Sequence, residues 1–352
     1  MSSARASLIV RSVSRPELAE ALASAGDQTY DDVEIVVVDA TGGRHAPVPD
    51  HAGRHPVVFV PGTTRRPRPA AANAGLDAAS GSYVGLLDDD DVLDPTHVAR
   101  LAAALDADPG AVLAFGKVRE MRPDGTIVQI GHPRLSRLML LDACFFPPCA
   151  ALFRRSVVPR CRFDETLEAA EDWDFWLQVG RCGAFRFVDA QTSTYRADRG
   201  RSAMSAGDSR TADPWNVRVR DKWAAERDAL VRVVEARFER VLDCLARGDR
   251  AGARALADDV LQLYPFHVGA LNVRGTLLVQ AGDARAALAD FETAAEASPD
   301  DPASLFNLAQ AHEHLGRHAE ARSGYRRVLA LDPAFAPALA RIARLSSSGP
   351  PP

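Results

Sequence analysis

Three prolines, Pro265, Pro299 and Pro333, stand 34 residues apart, and three glycines, Gly248, Gly282 and Gly316, keep the same interval. A fixed period of this length means that one supersecondary unit is copied along the chain, each copy burying its apolar face only against its neighbours. Ala253, Ala287 and Ala321 recur on the same period, as do Phe291 and Tyr325. The glycine is placed to close the first helix of each pair, where a left-handed residue is favoured. The alanine lets two helices approach closely, and the proline stops the second. About three copies follow, near 234–267, 268–301 and 302–335, with a capping helix over Pro337–Leu345. The first copy is atypical, since Ala257 stands where the next two carry aromatics, as terminal repeats often do.

In its length and in its small, aromatic and proline positions, this region resembles the tetratricopeptide repeat. The resemblance implies an all-α solenoid whose concave face suits an extended peptide or a partner subunit.

Ahead of the repeats the pattern changes. Short β-branched runs, Ser7–Val10, Val33–Val38, Val57–Val60 and Tyr83–Leu87, alternate with helical stretches at Pro16–Ala25 and Ala70–Ala79. Such alternation predicts βαβ units and a mainly parallel sheet, with ligands at the carboxyl ends of the strands. At 352 residues the chain has room for two domains. The predicted division is an α/β domain over 1–213, a connecting helix over 214–233, repeats with their cap over 234–346, and a disordered tail over 347–352. The small, polar stretch Asp198–Pro214 reads as a mobile loop.

Composition narrows the function. A net charge of −5 leaves no basic footprint for nucleic acid. Five scattered cysteines, with no paired zinc spacing, read as reduced thiols of a cytoplasmic protein. No apolar run reaches the roughly 18 residues of a transmembrane helix, which leaves peripheral association with the inner face of a membrane open.

Two of the predicted strands end in aspartate: Asp39 follows the second, and Asp88–Asp91 follow the fourth. Four adjacent carboxylates can be a solvated turn, with Asp94–Pro95 capping the next helix. Directly after a buried strand, however, they repel one another and raise each other's pKa unless a cation compensates. Hard oxygen ligands suit Mg²⁺ or Mn²⁺, which bind a carboxylate or two together with substrate phosphate. A diphosphate held through a metal is the leading expectation.

Three segments in order carry a second resemblance. SLIVRSVSRPELAEALASAGDQTYDDVEIVVVDATGG, AAANAGLDAASGSYVGLLDDDDVLDP and RFDETLEAAEDWDFWLQVGRCGAFRFVDAQTSTYR resemble glycosyltransferase family 2, the inverting enzymes of the GT-A fold, over about residues 6–205. The resemblance implies a nucleoside diphosphate sugar as donor, with uridine the expected base. Carried over by position, Asp39 and Asp88 are nucleotide contacts, Asp88 and Asp90 hold the metal, and Asp172 is the general base. Arg11, Arg66, Arg68 and Asn73 are further donor contacts, and Asp198, near the position of a histidine after Tyr-Arg, is a third metal candidate. Glu171, Trp173 and Trp176 are candidate acceptor or sugar contacts, although acidic residues at 171, 172 and 174 also suit a helix N-terminus. Tryptophans three apart on a helix are also candidates for the core.

The chain departs from the family pattern at Arg11-Ser12-Val13-Ser14-Arg15 in place of Pro-Thr-Tyr-Asn-Arg. It departs again at Asp39-Ala40-Thr41-Gly42 in place of Asp-Asp-Gly-Ser, and at Ala72 in place of an arginine. Two alternatives stay open: an inactive scaffold whose repeats do the work, and a nucleotidyltransferase. The second lacks any glycine-rich activating loop here. A sugar-transfer domain joined to tetratricopeptide repeats suggests an acceptor, or its carrier, that is a protein.

Overall fold

A computed structural model describes residues 4–122, 124–197 and 213–347. Its contacts divide the chain into two compact units, one of residues 1–135 with 139–224 and the other of 136–138 with 225–352.

The first unit is built on one sheet. Its strands, in chain order, are β1 (Ala6–Ser12), β2 (Val33–Asp39), β3 (His51–Ala52), β4 (His55–Val60), β5 (Tyr83–Asp88), β6 (Val92–Leu93), β7 (Ala111–Met121), β8 (Ile127–Ile130), β9 (Ala151–Arg154) and β10 (Ala184–Arg196). They lie in the order β3-β4-β2-β1-β5-β9-β7-β10-β6, with β8 on β7. Strands β4, β2, β1 and β5 run parallel, with Arg11 beside Asp88 and Ser12 beside Asp39. All seven residues of β1 and of β2 are buried, as expected of near-continuous apolar runs covered on both faces. The sheet is mixed beyond β5, because β9 inserts antiparallel between β5 and β7.

Helices α1 (Leu18–Gly26), α2 (Arg68–Ala78), α3 (His97–Ala107), α4 (Arg137–Asp142) and α5 (Glu171–Val179) follow in the chain. The helix expected at Asp94–Pro95 starts two residues later, with Thr96 as N-cap. Asp94 caps nothing with its side chain; it pairs instead with Arg119 on β7, a cross-sheet ion pair that local sequence does not announce.

Helix α2 explains the Asn-x-Gly-Leu segment. A Cβ on Gly75 would lie 2.2 Å from Cγ2 of Ile9, so only glycine lets α2 settle on β1 at this separation. Asn73, two residues earlier, donates to the carbonyl of Phe163 at 3.0 Å and accepts from its N–H at 3.0 Å.

The second unit consists of helical pairs. Helix α6 (Pro214–Ala246) runs unbroken through the boundary expected at 233, since no glycine or proline interrupts residues 215–247. It is followed by α7 (Arg250–Leu263), α8 (Val268–Gln280), α9 (Ala284–Ala297), α10 (Pro302–His314), α11 (His318–Leu331) and α12 (Ala336–Ser347). Gly248, Gly282 and Gly316 all have positive φ, 75°, 87° and 72°, which is why the period fixes glycine at each first-helix end. Asp249 and Asp283 follow directly and cap the next helix through Gly252 N and Ala286 N. Ala253, Ala287 and Ala321 are fully buried between helices, and Phe291 and Tyr325 fill the core beside them. No described helix is long and apolar enough to cross a membrane.

Substituting Gly75→Ala is expected to destabilise the first unit by about 1–3 kcal/mol in urea unfolding, because overpacking against Ile9 outweighs the gain in helix propensity. A variant as stable as the parent would contradict this packing.

Candidate active site

Parallel register places Arg11 of β1 next to Asp88 of β5. Its guanidinium donates Nε and Nη2 to the two oxygens of Asp88 at 2.7 and 2.9 Å, and Nη1 to Glu171 of α5 at 2.8 Å. Arg68, at the start of α2, adds a second donor to Asp88 at 2.8 Å and approaches Glu171 at 3.3 Å. Burial alone would push Asp88 upward, but the Arg11 and Arg68 charges outweigh it and hold its carboxyl at about 2. Two strands and two helices thus meet on two arginines.

The next three aspartates diverge. Asp89 is buried and accepts from Ser12 Oγ at 3.0 Å, Val13 N at 2.8 Å and Arg15 Nη1 at 2.8 Å, so it anchors the β1–α1 loop. That loop carries Ser14 at φ 64°, a strained conformation for a residue with a Cβ. Asp90 is partly exposed and pairs with Arg15 at 2.8 Å. Asp91 is buried and accepts from the N–H of Arg196, at the end of β10, at 2.9 Å.

Burial and then the neighbouring Asp88 charge raise Asp90, and the same two causes raise Asp91 well above the carboxylate range. Asp88, Asp90 and Asp91 each offer an oxygen within 4.8 Å of the others. Asp90 and Asp91 are raised by burial and by the Asp88 charge, a repulsion that a divalent cation relieves, so this set of hard oxygen donors fits Mg²⁺ or Mn²⁺. Asp198, the third metal candidate from sequence, lies outside the described residues, as does most of the stretch read as a loop.

Asp172 sits in the first turn of α5, whose N-cap, Ala170, is left-handed at φ 58°. One oxygen of Asp172 accepts from the N–H of Trp173 at 2.8 Å. Burial and the adjacent Glu171 raise its carboxyl to about 6, against the opposing pull of Arg68 and Arg11. Asp172 does not itself line the strand-end cavity; it is coupled to that cavity through Arg68 and Arg11, which do. Glu171 is 1% exposed and spent on the arginines, so it positions them and does not meet an acceptor. Trp173 and Trp176 are 1% and 0% exposed. Trp173 donates to the carbonyl of Leu140 at 2.6 Å, and Trp176 packs among Phe146, Phe153 and Phe175. Both are core residues, which corrects their reading as sugar contacts; helical spacing cannot distinguish a buried face from a ligand face.

Two expected donor contacts are also turned inward. Asp39 accepts from Thr41 N and Oγ1 at 2.6 and 2.7 Å, from Gly43 N at 2.8 Å and from Gly62 N at 3.3 Å. Against its burial, these donors hold the carboxyl at about 2. It therefore binds the loops after β2 and β4 together. Asn73 is committed to Phe163 and to Glu165, the latter at 2.9 Å.

Above the strand ends opens a cavity of about 680 Å³. Arg11, Arg66, Arg68, Asp88 and Asp90 line it, as expected from sequence. Arg15, Arg44, Arg65 and Arg196 line it too, which makes seven arginines and a strongly anion-attracting wall. Arg15 was legible as the arginine kept from the Pro-Thr-Tyr-Asn-Arg pattern. Arg196, donating to the carbonyl of Asp90 at 3.0 Å, is the arginine of the Tyr-Arg segment. Arg44 and Arg65 carry no motif; a bridge between Thr41 and Arg65 brings their loops together.

Residues 8–161 match the family model described as glycosyl transferase family 2, and residues 272–334 match that of the tetratricopeptide repeat. Chondroitin synthase of Pasteurella multocida is 26% identical over 170 residues, 47% of this chain and 18% of that protein. The uncharacterized glycosyltransferase YwdF of Bacillus subtilis is 24% identical over 56% of this chain and 74% of its own length. The succinoglycan biosynthesis protein ExoO of Rhizobium meliloti is 30% identical over 47% of this chain and 52% of its own. The chain spans under a fifth of the chondroitin synthase. Most of the cavity's lining falls within the segment that matches glycosyl transferase family 2, with Glu168, Tyr195 and Arg196 beyond it, and the segment that matches the tetratricopeptide repeat follows in the same chain.

Proposed function

We propose that this chain moves a sugar from a nucleoside diphosphate sugar to an acceptor hydroxyl with inversion at the anomeric carbon. The observation that carries this reading is Asp172, whose carboxyl is raised to about 6 by burial and by the adjacent Glu171, which Arg11 and Arg68 tie to Asp88. A base near neutral pKa beside an arginine-walled, acid-floored cavity suits removal of a proton from an acceptor as a diphosphate departs.

In this reading Asp172 takes the acceptor proton, and the oxygen so freed attacks the anomeric carbon from the side opposite the diphosphate. Arg15, Arg66 and Arg196 offer donors to the departing diphosphate, and Arg11 holds Asp88 and Glu171 in place through the event. Asp88, Asp90 and Asp91 would hold a divalent cation, which supplies charge neutralisation at the leaving group. The relatives named for chondroitin and succinoglycan favour a glycan acceptor. The repeats suit a protein that carries or organises it.

Screening nucleoside diphosphate sugars for Mn²⁺- or Mg²⁺-dependent release of the nucleoside diphosphate tests the reading. Asp172→Asn is expected to keep donor affinity within a few fold while transfer falls by about 10²–10⁴. An inactive scaffold would bind no donor and release nothing. The pH profile should fall on the acid side near 6, because Asp172 works only when ionised; an acid limb near 4 would contradict its role.

The same shift has a stability consequence. The folded state raises the Asp172 pKa from 3.8, so it binds the proton more tightly than the unfolded chain. The associated stability is present at low pH and lost as pH rises through about 4 to 6. Asp172→Asn should therefore raise stability at pH 7.5, by about 1–3 kcal/mol. A destabilised variant would show that the ionised carboxylate is held favourably.

A further inference from the structure

Cys161 and Cys182 bracket the segment that carries Asp172, and their sulfurs lie 3.6 Å apart. We propose that these two thiols are a modification site, closing to an intramolecular disulfide by exchange with a small-molecule disulfide such as oxidised glutathione. Five cysteines scattered along a chain give no sign of this, since the pair is separated by 21 positions and other cysteines lie nearer to Cys161 in sequence.

The contact is held by its surroundings. Gln178, in the last turn of α5, donates to the carbonyl of Arg162 at 2.8 Å and accepts from the Arg162 N–H at 3.1 Å, which fixes the chain just after Cys161. On the other side the N–H of Cys182 donates to the carbonyl of Val179 at 2.8 Å, closing the turn that leaves α5. Phe163 and Phe175 stack between these points with centroids 4.1 Å apart and planes 7° from parallel. The sulfurs need approach by only about 1.5 Å to reach bonding distance.

The two thiols differ in access. Cys161 is 1% exposed, and burial together with the Cys182 thiol pushes it up to about 12; Cys182 is partly exposed. Exchange therefore begins at Cys182. Its thiolate attacks one sulfur of glutathione disulfide, breaking that S–S bond, releasing one glutathione thiolate and forming a mixed disulfide. The Cys161 sulfur, giving up its proton, then attacks the Cys182 sulfur and expels the second glutathione thiolate. Two S–H bonds of the protein are replaced by one S–S bond; the two electrons and two protons end on two molecules of glutathione. The ring so closed contains all of α5, with Glu171 and Asp172 in its first turn. The staple thus constrains the segment that presents the proposed base.

The full-length chain, reduced and then incubated with oxidised glutathione, should lose two hydrogens by intact mass and yield a single Cys161–Cys182 cross-linked peptide. Its Tm should rise by about 5 °C over the reduced protein, and the rise should vanish on adding dithiothreitol. Cys161→Ser should stop at a protein carrying one glutathionyl group on Cys182, and Cys182→Ser should form neither product at position 161. Glutathionylation of wild type that persists at Cys182, or cross-linking that involves Cys144, Cys149 or Cys244 instead, would overturn the proposal. So would an unchanged mass. The wild-type mass and peptide map decide the matter even if a serine variant fails to fold.

Discussion

The carboxyl end of the sheet depends on Arg11. Its side chain is 3% exposed, it lies on the central strand β1, and it joins Asp88 on β5 to Glu171 on α5. Removing one partner from a buried pair leaves an uncompensated charge and typically costs about 3–5 kcal/mol. A guanidinium can serve two carboxylates at once because its five donors form a planar fork, which a lysine would not reproduce. Arg11 is also the reason that Asp88 is ionised at about 2 although it is surrounded by other acids. Two further site residues lie directly on this node. Arg68 reads the same two carboxylates from α2, and Asp172 is the next residue along α5.

The consequence is an uneven distribution of charge. Asp88 is fully paired, and Asp89 is spent on the β1–α1 loop. Asp90 and Asp91 are left with more negative charge around them than positive, and Asp172 with one acid beside it and two arginines beyond. Both leftover sites suit chemistry, the first for a cation and the second for a proton. Stability is concentrated in the residues whose charge is fully compensated, and reactivity in those whose charge is not, as is common where a site works against its own fold.

Much of this was visible in the amino-acid order, and the reason differs by feature. The 34-residue period foretold the positive-φ glycines and buried alanines because each is a local backbone or packing demand repeated three times. The strand runs were legible because strands buried on both faces are apolar throughout. The inward turn of Trp173, Trp176, Asp39 and Asn73 was not legible, since nothing in the local order says which polar or aromatic groups find partners from distant segments. The unbroken course of α6 is written as an absence of breakers, which the 34-residue repeat period, set by the glycines and prolines after it, does not register. Asp91 carries no motif role in the local order; its partner, the N–H of Arg196, comes from the distant end of β10.

The central claim is that the acids at the end of β5 accept a divalent cation together with a nucleoside diphosphate. Calorimetric titration of nucleoside diphosphates into the full chain at pH 6, with and without Mn²⁺, in buffers of different ionisation enthalpy, addresses it directly. Cation-dependent binding is expected, with an apparent enthalpy that changes with the buffer, because Asp91 is raised well above the carboxylate range and releases its proton as the cation binds. Binding that is equally tight in the presence of a chelator, with no proton release, would contradict the account.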